Sequence, residues 1–321
     1  MKTFYITTSI AYTNAEPHIG YALELTQADV LARYHQLLGD DTYFLTGTDE
    51  HGIKIERSAT KLSQDPQDFV NNIAERFQAL TKALNISNND FIRTTDKERH
   101  WPGVEKIWRS LQDKGALYEK EYEGLYCVGH EAFVKKSELI DGLCPIHKTE
   151  PEKIREKNWF FKLSDYKREI KGRIERDELK IVPESRKHEI LNLFDDAEDV
   201  SFSRPADKLQ WGIPVPGDSS QTIYVWADAL TNYISALGYG QDEKLLHYWP
   251  ADIHLIGKDI LRFHAMVWPA MLLAIELPLP RSINVHGFIT SEGQKISKSL
   301  GNVIDPFMLI EKYGAEVLLL A

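Results

Sequence analysis

Cysteine is scarce in this sequence, with two residues in 321. Two cysteines cannot build a disulfide scaffold, so Cys127 and Cys144 point to metal binding or packing rather than to a bridge. Long apolar runs are missing as well. No stretch reaches the roughly 20 residues that a membrane-spanning helix needs, and no basic segment followed by an apolar core opens the chain. A cytoplasmic protein with no membrane contact is the expectation. Excess positive charge is also absent, the formal net charge being -10. That argues against a surface coated for DNA, while leaving room for a local basic patch that handles one RNA end. Neither low-complexity tracts nor internal repeats occur.

What is present is ordinary for a globular protein: 43% hydrophobic and 27% charged residues, on a chain long enough for a sizeable core. The informative stretch comes first. Thr3 to Thr8 reads as a short buried strand rich in β-branched and aromatic residues. A loop then leads through Pro17 into His18-Ile19-Gly20-Tyr21. Pro17 pre-sets a first helical turn, and apolar residues recur near the helical period at Ile19, Leu23, Val30, Tyr34 and Leu38. Gly39 supplies the stop, and Thr42 to Thr46 is the next strand. His18 and Gly20 therefore sit at a helix N-terminus facing the carboxyl end of a parallel strand, where free N–H groups collect phosphates.

Alternation continues with a polar cluster, Gly47-Thr48-Asp49-Glu50-His51-Gly52, a helix from Asp65, a strand at Asp90 to Thr95, and a helix closed by Gly115. This is the signature of a doubly wound parallel α/β sheet, Rossmann-like in kind. It breaks at Leu117 and resumes at Thr222-Ile223-Tyr224-Val225. A helix from Asp228 to Leu237, the strand His254-Leu255-Ile256, a helix from Asp259 to Ile275 and the strand Ile283-Asn284-Val285 complete it. Residues 1–116 and 222–287 are thus predicted to be two halves of one domain, split by an insertion at 117–221.

Two further motifs carry chemistry. Within the insertion, Cys127-x-x-His130 and Cys144-x-x-His147 have the spacing of a knuckle that closes on one tetrahedral ion, with thiolate and imidazole favouring a structural Zn²⁺. After the last strand, Gly287 to Asn302 holds Lys295 and Lys298 among serines and glycines. Two ammonium groups there suit a triphosphate whose charge builds up and leaves.

A helix-start His-x-Gly turn in one half of a split sheet and a lysine loop closing the other resembles the class I aminoacyl-tRNA synthetases. His18 to Tyr21 is similar to their HIGH motif and Lys295 to Ser299 to their KMSKS motif. Tyr12, the Gly47–Gly52 block, Tyr224 to Ala229 and Gly257 to His264 look like the methionyl-tRNA synthetase family over essentially the whole chain. The resemblance implies ATP-dependent activation of L-methionine to methionyl-adenylate and transfer to the acceptor end of tRNA(Met). It implies a methionine pocket at Ile10, Tyr12, Trp226, Ala229, Leu230, Tyr233, Ile260 and His264, with Asp49 on the α-ammonium group. His18, Gly20, Lys295 and Lys298, with Mg²⁺, are implied for the phosphates, and Gly257 and Asp259 for the ribose.

Two departures stand out. Tyr21 replaces the family's second histidine, either with some loss of rate or as a substitute donor. Ile296 replaces the methionine of KMSKS, a volume-conserving swap. Phe307, Ile310 and Val317 are expected to share one face of a final helix, and 288–321 to start a linking region that family members continue into an anticodon-reading bundle. A truncated chain is the expectation. The alternatives left open are a class I synthetase for another aliphatic amino acid, a non-catalytic synthetase-like binding module, and a related nucleotidyl transferase.

Overall fold

The computed structural model describes residues 2–291, 294–295 and 304–320. Its frame is a seven-stranded sheet whose pairings are all parallel. Thr3–Thr8 lies inside it, with Thr3 opposite Asp41 and Thr7 opposite Leu45 of the strand Asp41–Asp49. Asp90–Arg93 and the short strand Ala11–Tyr12 also pair with Asp41–Asp49. On its other side come Ile253–Gly257, Ser282–His286 and then Lys180–Val182. The chain thus leaves Thr3–Thr8 in one direction and is met from the other. Such a topological switch opens a crevice at the carboxyl ends of the strands, where open α/β sheets bind ligands. Tyr5, Ile6, Phe44, Leu45, Ile256 and Ile283 have no exposed surface, because helices cover both faces of a parallel sheet.

The helix after the first strand spans Ile19–Leu37, and its buried face is not the apolar series read from the sequence. Val30, Tyr34 and Leu38 are 62%, 56% and 60% exposed, while Tyr21, Ala22, Glu24, Leu25, Ala28, Asp29 and Ala32 are buried. Small alanines let the backbone lie close on the sheet, where Ala28 and Ala32 pack against Phe4, Ile6, Phe44 and Leu255. Close approach has outweighed side-chain size. The helix expected from Asp228 is two short ones, Val225–Leu230 and Asn232–Ser235. The one expected from Asp259 is a tight turn at Lys258–Ile260, a π-helical stretch at Phe263–Val267 and an α-helix at Trp268–Ala274.

In the inserted segment, Leu117–Cys127 and Glu152–Phe161 form one long antiparallel hairpin, from the pair Leu117–Phe161 to the pair Tyr126–Glu152. Its outer face is held by cross-strand ion pairs, Glu119–Lys157 at 2.8 Å, Glu121–Arg155 at 3.4 Å and Glu123–Lys153 at 2.6 Å. The Cys/His motif is the hairpin's far end. Lys180–Val182 belongs to the same segment, so the insertion lends an edge strand to the sheet it interrupts.

The last helix is interrupted at Gly314, between Pro306–Tyr313 and Ala315–Leu320. The break shifts the helical phase: Phe307, Ile310 and Leu318 pack inward, whereas Val317 is 53% exposed. Ile19 N donates to Ile304 O at 3.2 Å, which seats this segment beside the His18 turn.

Candidate active site

A cavity of about 440 Å³ opens at the switch point and is lined by both halves of the sheet. His18 is part of its lining. It is extended (φ -124°, ψ 170°) and caps the helix Ile19–Leu37, its Nδ1 accepting from Gly20 N at 3.0 Å. An accepting Nδ1 leaves the proton of a neutral ring on Nε2. A Cβ at Gly20 would lie 2.8 Å from His18 Cε1, so a side chain there would have to displace the ring folded over the turn. Tyr21 shares the cavity wall, its ring edge-on to Phe77 at 4.9 Å. Its hydroxyl is turned to Thr46 Oγ1 at 2.9 Å, which in turn meets Thr8 Oγ1 at 2.7 Å. The substitute-donor reading therefore meets a hydroxyl engaged inside the sheet.

Across the switch point stand Gly257 and Asp259, also in the cavity wall. Beside them is an ion pair that the sequence reading missed. His286 Nε2 donates to Glu24 Oε2 at 2.8 Å and His286 Nδ1 to Gly287 O at 2.8 Å, while Glu24 Oε1 accepts from Ser9 N and Ser9 Oγ at 2.7 and 2.6 Å. Burial pulls the His286 pKa down, but the Glu24 carboxylate more than offsets it, and the net shift is upward. The only sequence signal was a carboxylate, Glu24, on the helix face that also carries Ala22, Leu25, Ala28 and the buried Asp29.

Of the implied methionine residues, Ile10, Tyr12, Asp49, Trp226 and Ile260 line the cavity; Ala229, Leu230, Tyr233 and His264 are buried and are not part of its lining. Trp226 stacks on Phe263 at 3.8 Å and 5°. His264 Nδ1 donates to Ile260 O at 3.0 Å, so His264 Nε2 accepts from the Tyr233 hydroxyl at 2.7 Å. Burial pushes the His264 pKa down to about 4, keeping the ring neutral. Asp49 Oδ1 is buried without a hydrogen-bond partner among the described residues, and the buried Tyr12 hydroxyl interacts with the Glu131 carboxylate. Burial, then the Asp228 and Glu131 charges, hold the Asp49 pKa well above the carboxylate range.

The rest of the Gly47–Gly52 block is scaffold. Glu50 is fully buried and receives Arg93 Nε and Nη2 at 2.6 and 2.8 Å, Thr48 Oγ1 at 2.6 Å and the Thr95 hydroxyl. His51 Nδ1 bonds Asp228 Oδ2, and His100 Nε2 bonds Asp228 Oδ1, both at 2.7 Å.

The four knuckle residues converge. Their ligand atoms all lie within 4.8 Å of one another, with Cys144 Sγ 3.6 Å from both His130 Nδ1 and His147 Nδ1, and Cys127 Sγ 3.7 Å from His147 Nδ1. A tetrahedral ion with bonds of about 2.3 Å to sulfur and 2.0 Å to nitrogen sets its ligand atoms roughly 3.5 Å apart, so the donor set fits a metal ion. The place of a Cβ at Gly129 is filled by the His147 ring. Gly129, His130 and His147 line the cavity as well, and Trp226 Nε1 donates to His130 O at 3.5 Å. Of the lysine loop, Thr290–Ser291 pairs with Gln294–Lys295; Ile296 and Lys298 lie outside the described residues.

Residues 4–152 and 133–319 match the family model described as tRNA synthetases class I (M). The chain belongs to that family. The methionine--tRNA ligase of Thermotoga maritima is 45% identical over 320 residues, which are 98% of this chain and 50% of the relative. That of Rickettsia conorii is 48% identical over 318 residues, 98% and 62% of the two chains. The solved Mycobacterium tuberculosis methionyl-tRNA synthetase in complex with methionyl-adenylate superposes with a TM-score of 0.92 at 41% identity, over 98% of this chain and 63% of that one. The free-state form of the same enzyme gives 0.83 at 37% identity. The chain thus spans one half to less than two thirds of these relatives' lengths. For a class I tRNA synthetase chain, the residues that sequence reasoning overlooked are those that hold others in place: Glu24, His286, His100 and Phe263.

Proposed function

We propose that this synthetase chain activates L-methionine with ATP and passes the methionyl group to the acceptor end of tRNA(Met). The observation that carries the reading is one continuous cavity. It joins a carboxylate oxygen of Asp49, without a partner among the described residues, to the His18 turn and to Gly257 and Asp259 across the switch point. Asp49 takes the α-ammonium group, a charge-assisted contact that sets which end of the substrate faces ATP. Ile10, Tyr12, Trp226 and Ile260 enclose the thioether, while the buried Ala229, Leu230, Tyr233 and His264 support that wall. Gly257 and Asp259 accept the ribose. His18, Gly20, Lys295 and Lys298 receive the phosphates, and Tyr21 holds the turn in place. Mg²⁺ bound with ATP shares the phosphate charge.

The substrate carboxylate attacks the α-phosphate, pyrophosphate leaves, and a mixed anhydride forms. No covalent bond to the protein is needed, so the residues act by positioning and charge stabilisation. The terminal adenosine hydroxyl of the tRNA then attacks the carbonyl carbon, releasing AMP. Cys127, His130, Cys144 and His147 hold one structural Zn²⁺ that braces the insertion. Residues 1–116 and 222–287 act as the catalytic halves, and 288–321 as the lysine loop and the start of a linking region. The cytoplasm is the place of action. The methionine--tRNA ligases among the relatives and the methionyl-adenylate in the solved neighbour support the choice of methionine. Methionine-dependent exchange of labelled pyrophosphate into ATP tests it. Exchange driven by leucine or isoleucine instead, or none from folded protein, would overturn it.

A further inference from the structure

A second carboxylate faces the place proposed for the ammonium group. Glu131 follows His130 and is 4% exposed. Its φ of +50° lies in the left-handed region, uncommon for a residue other than glycine. It ends the turn in which His130 N donates to Cys127 O at 3.1 Å and Glu131 N to Val128 O at 3.3 Å. That turn carries the side chain out of the insertion and onto the catalytic half. Glu131 Oε1 accepts from Lys54 N at 2.7 Å, in the first turn of Ile53–Lys61. The space over Gly52 is occupied by the same carboxylate and by Tyr12: a Cβ there would lie 2.5 Å from Glu131 Oε2 and 2.7 Å from Tyr12 Oη.

Glu131, Tyr12 and Asp49 line one cavity; the Tyr12 hydroxyl interacts with the Glu131 carboxylate, and Asp49 Oδ1 is buried with no hydrogen-bond partner among the described residues. Buried polar atoms without partners are costly. Two carboxylates and a hydroxyl together suit a cationic ligand with several N–H donors, and an α-ammonium group has three.

We propose that Glu131 is a second anionic contact for the α-ammonium group of the substrate, acting with Asp49 and alongside the Tyr12 hydroxyl. This rests on the amino-acid-activating reading above. The plainer role, a cap on Ile53–Lys61 through Lys54 N, uses only Glu131 Oε1 and would survive replacement by glutamine, whose amide oxygen still accepts. E131Q therefore separates charge from cap.

The test compares E131Q with the parent for two ligands, each read as competitive inhibition of methionine-dependent pyrophosphate exchange. Methioninol keeps the ammonium group and lacks the carboxylate; the 2-hydroxy analogue of methionine keeps the carboxylate and lacks the ammonium. E131Q should weaken L-methionine and methioninol roughly 10- to 100-fold, the range for losing a hydrogen bond to a charged group. The 2-hydroxy analogue should bind both proteins alike, and the KM for ATP should not move. An equal loss for all ligands, or no loss for methioninol, overturns the assignment. A parent that shows no methionine-dependent exchange overturns the amino-acid reading and this inference with it. An active parent matched by E131Q overturns the inference alone. Should E131Q fail to fold, E131M removes the cap as well as the charge, and the ligand contrast then decides: a loss confined to L-methionine and methioninol supports the assignment, and an equal loss for the 2-hydroxy analogue overturns it.

Discussion

His51 Nδ1 and Asp228 Oδ2 stand 2.7 Å apart across 177 residues of sequence. His100 Nε2 meets the other oxygen of the same carboxylate at 2.7 Å, and His100 Nδ1 bonds Ser235 Oγ at 2.8 Å. All four side chains are buried. The two halves of the sheet are therefore joined behind the cavity by one charged group with partners on both its oxygens. Burial pushes the Asp228 pKa up, but the two imidazoles outweigh it and leave it below the usual carboxylate range.

Asp228→Asn removes that charge and leaves two buried histidines facing an amide. Leaving a buried polar group of such a network imperfectly satisfied costs about 1–3 kcal/mol. Urea unfolding at neutral pH should show a loss of that order. A change within about 0.5 kcal/mol, the range of ordinary surface substitutions, would show that the network adds no stability.

His264 sets an acid limit on stability. Its folded pKa is about 4 against 6.5 for the free side chain. Between those values the unfolded chain binds a proton that the folded chain does not, so stability falls as pH drops from 6.5 towards 4. The shift corresponds to roughly 3 kcal/mol. His254, also depressed by burial, acts in the same direction. In H264Q, unfolding free energies measured across this window should decline by roughly 3 kcal/mol less than in the parent. Identical slopes would rule out His264 as a source of the acid sensitivity.

The Cys/His cluster gives a metal-removal test. Protein purified without chelator should carry close to one zinc per chain, lost in Cys144→Ala. Because Trp226 Nε1 donates to His130 O, stripping the metal should also change Trp226 fluorescence. Metal-free protein with the insertion fully folded and the fluorescence unmoved would show the cluster to be vestigial.

The motifs were legible where chemistry dictates residue type. His18 and Gly20 sit on the helix start that Pro17 and the strand before it imply, and the Cys-x-x-His pairs converge as their spacing implies. Packing was less legible. Val30, Tyr34 and Leu38 have the helical period of a core face, yet alanine gives the closer fit to the sheet. The sequence predicts one continuous helix through His264, but a π-helical stretch at Phe263–Val267 precedes its α-helical part. Such stretches are frequent at functional sites and have no local sequence mark. Partners such as Glu24 with His286 depend on contacts 262 residues apart, which no local pattern encodes.

The neighbours of Thr3–Thr8 bear on how the chain is made. Tyr5 N donates to Asp252 Oδ2, and Thr7 Oγ1 meets His254 Nδ1, each across 247 residues. At the usual 5–20 residues per second, a nascent chain waits on the order of tens of seconds between making that strand and the one that completes its second edge. Through that interval an apolar strand made of Phe4, Tyr5 and Ile6 presents open backbone groups, the arrangement most prone to pairing with another chain. Productive synthesis of this fold therefore depends on something keeping that edge solitary, whether a chaperone, the ribosome surface or the speed of translation itself.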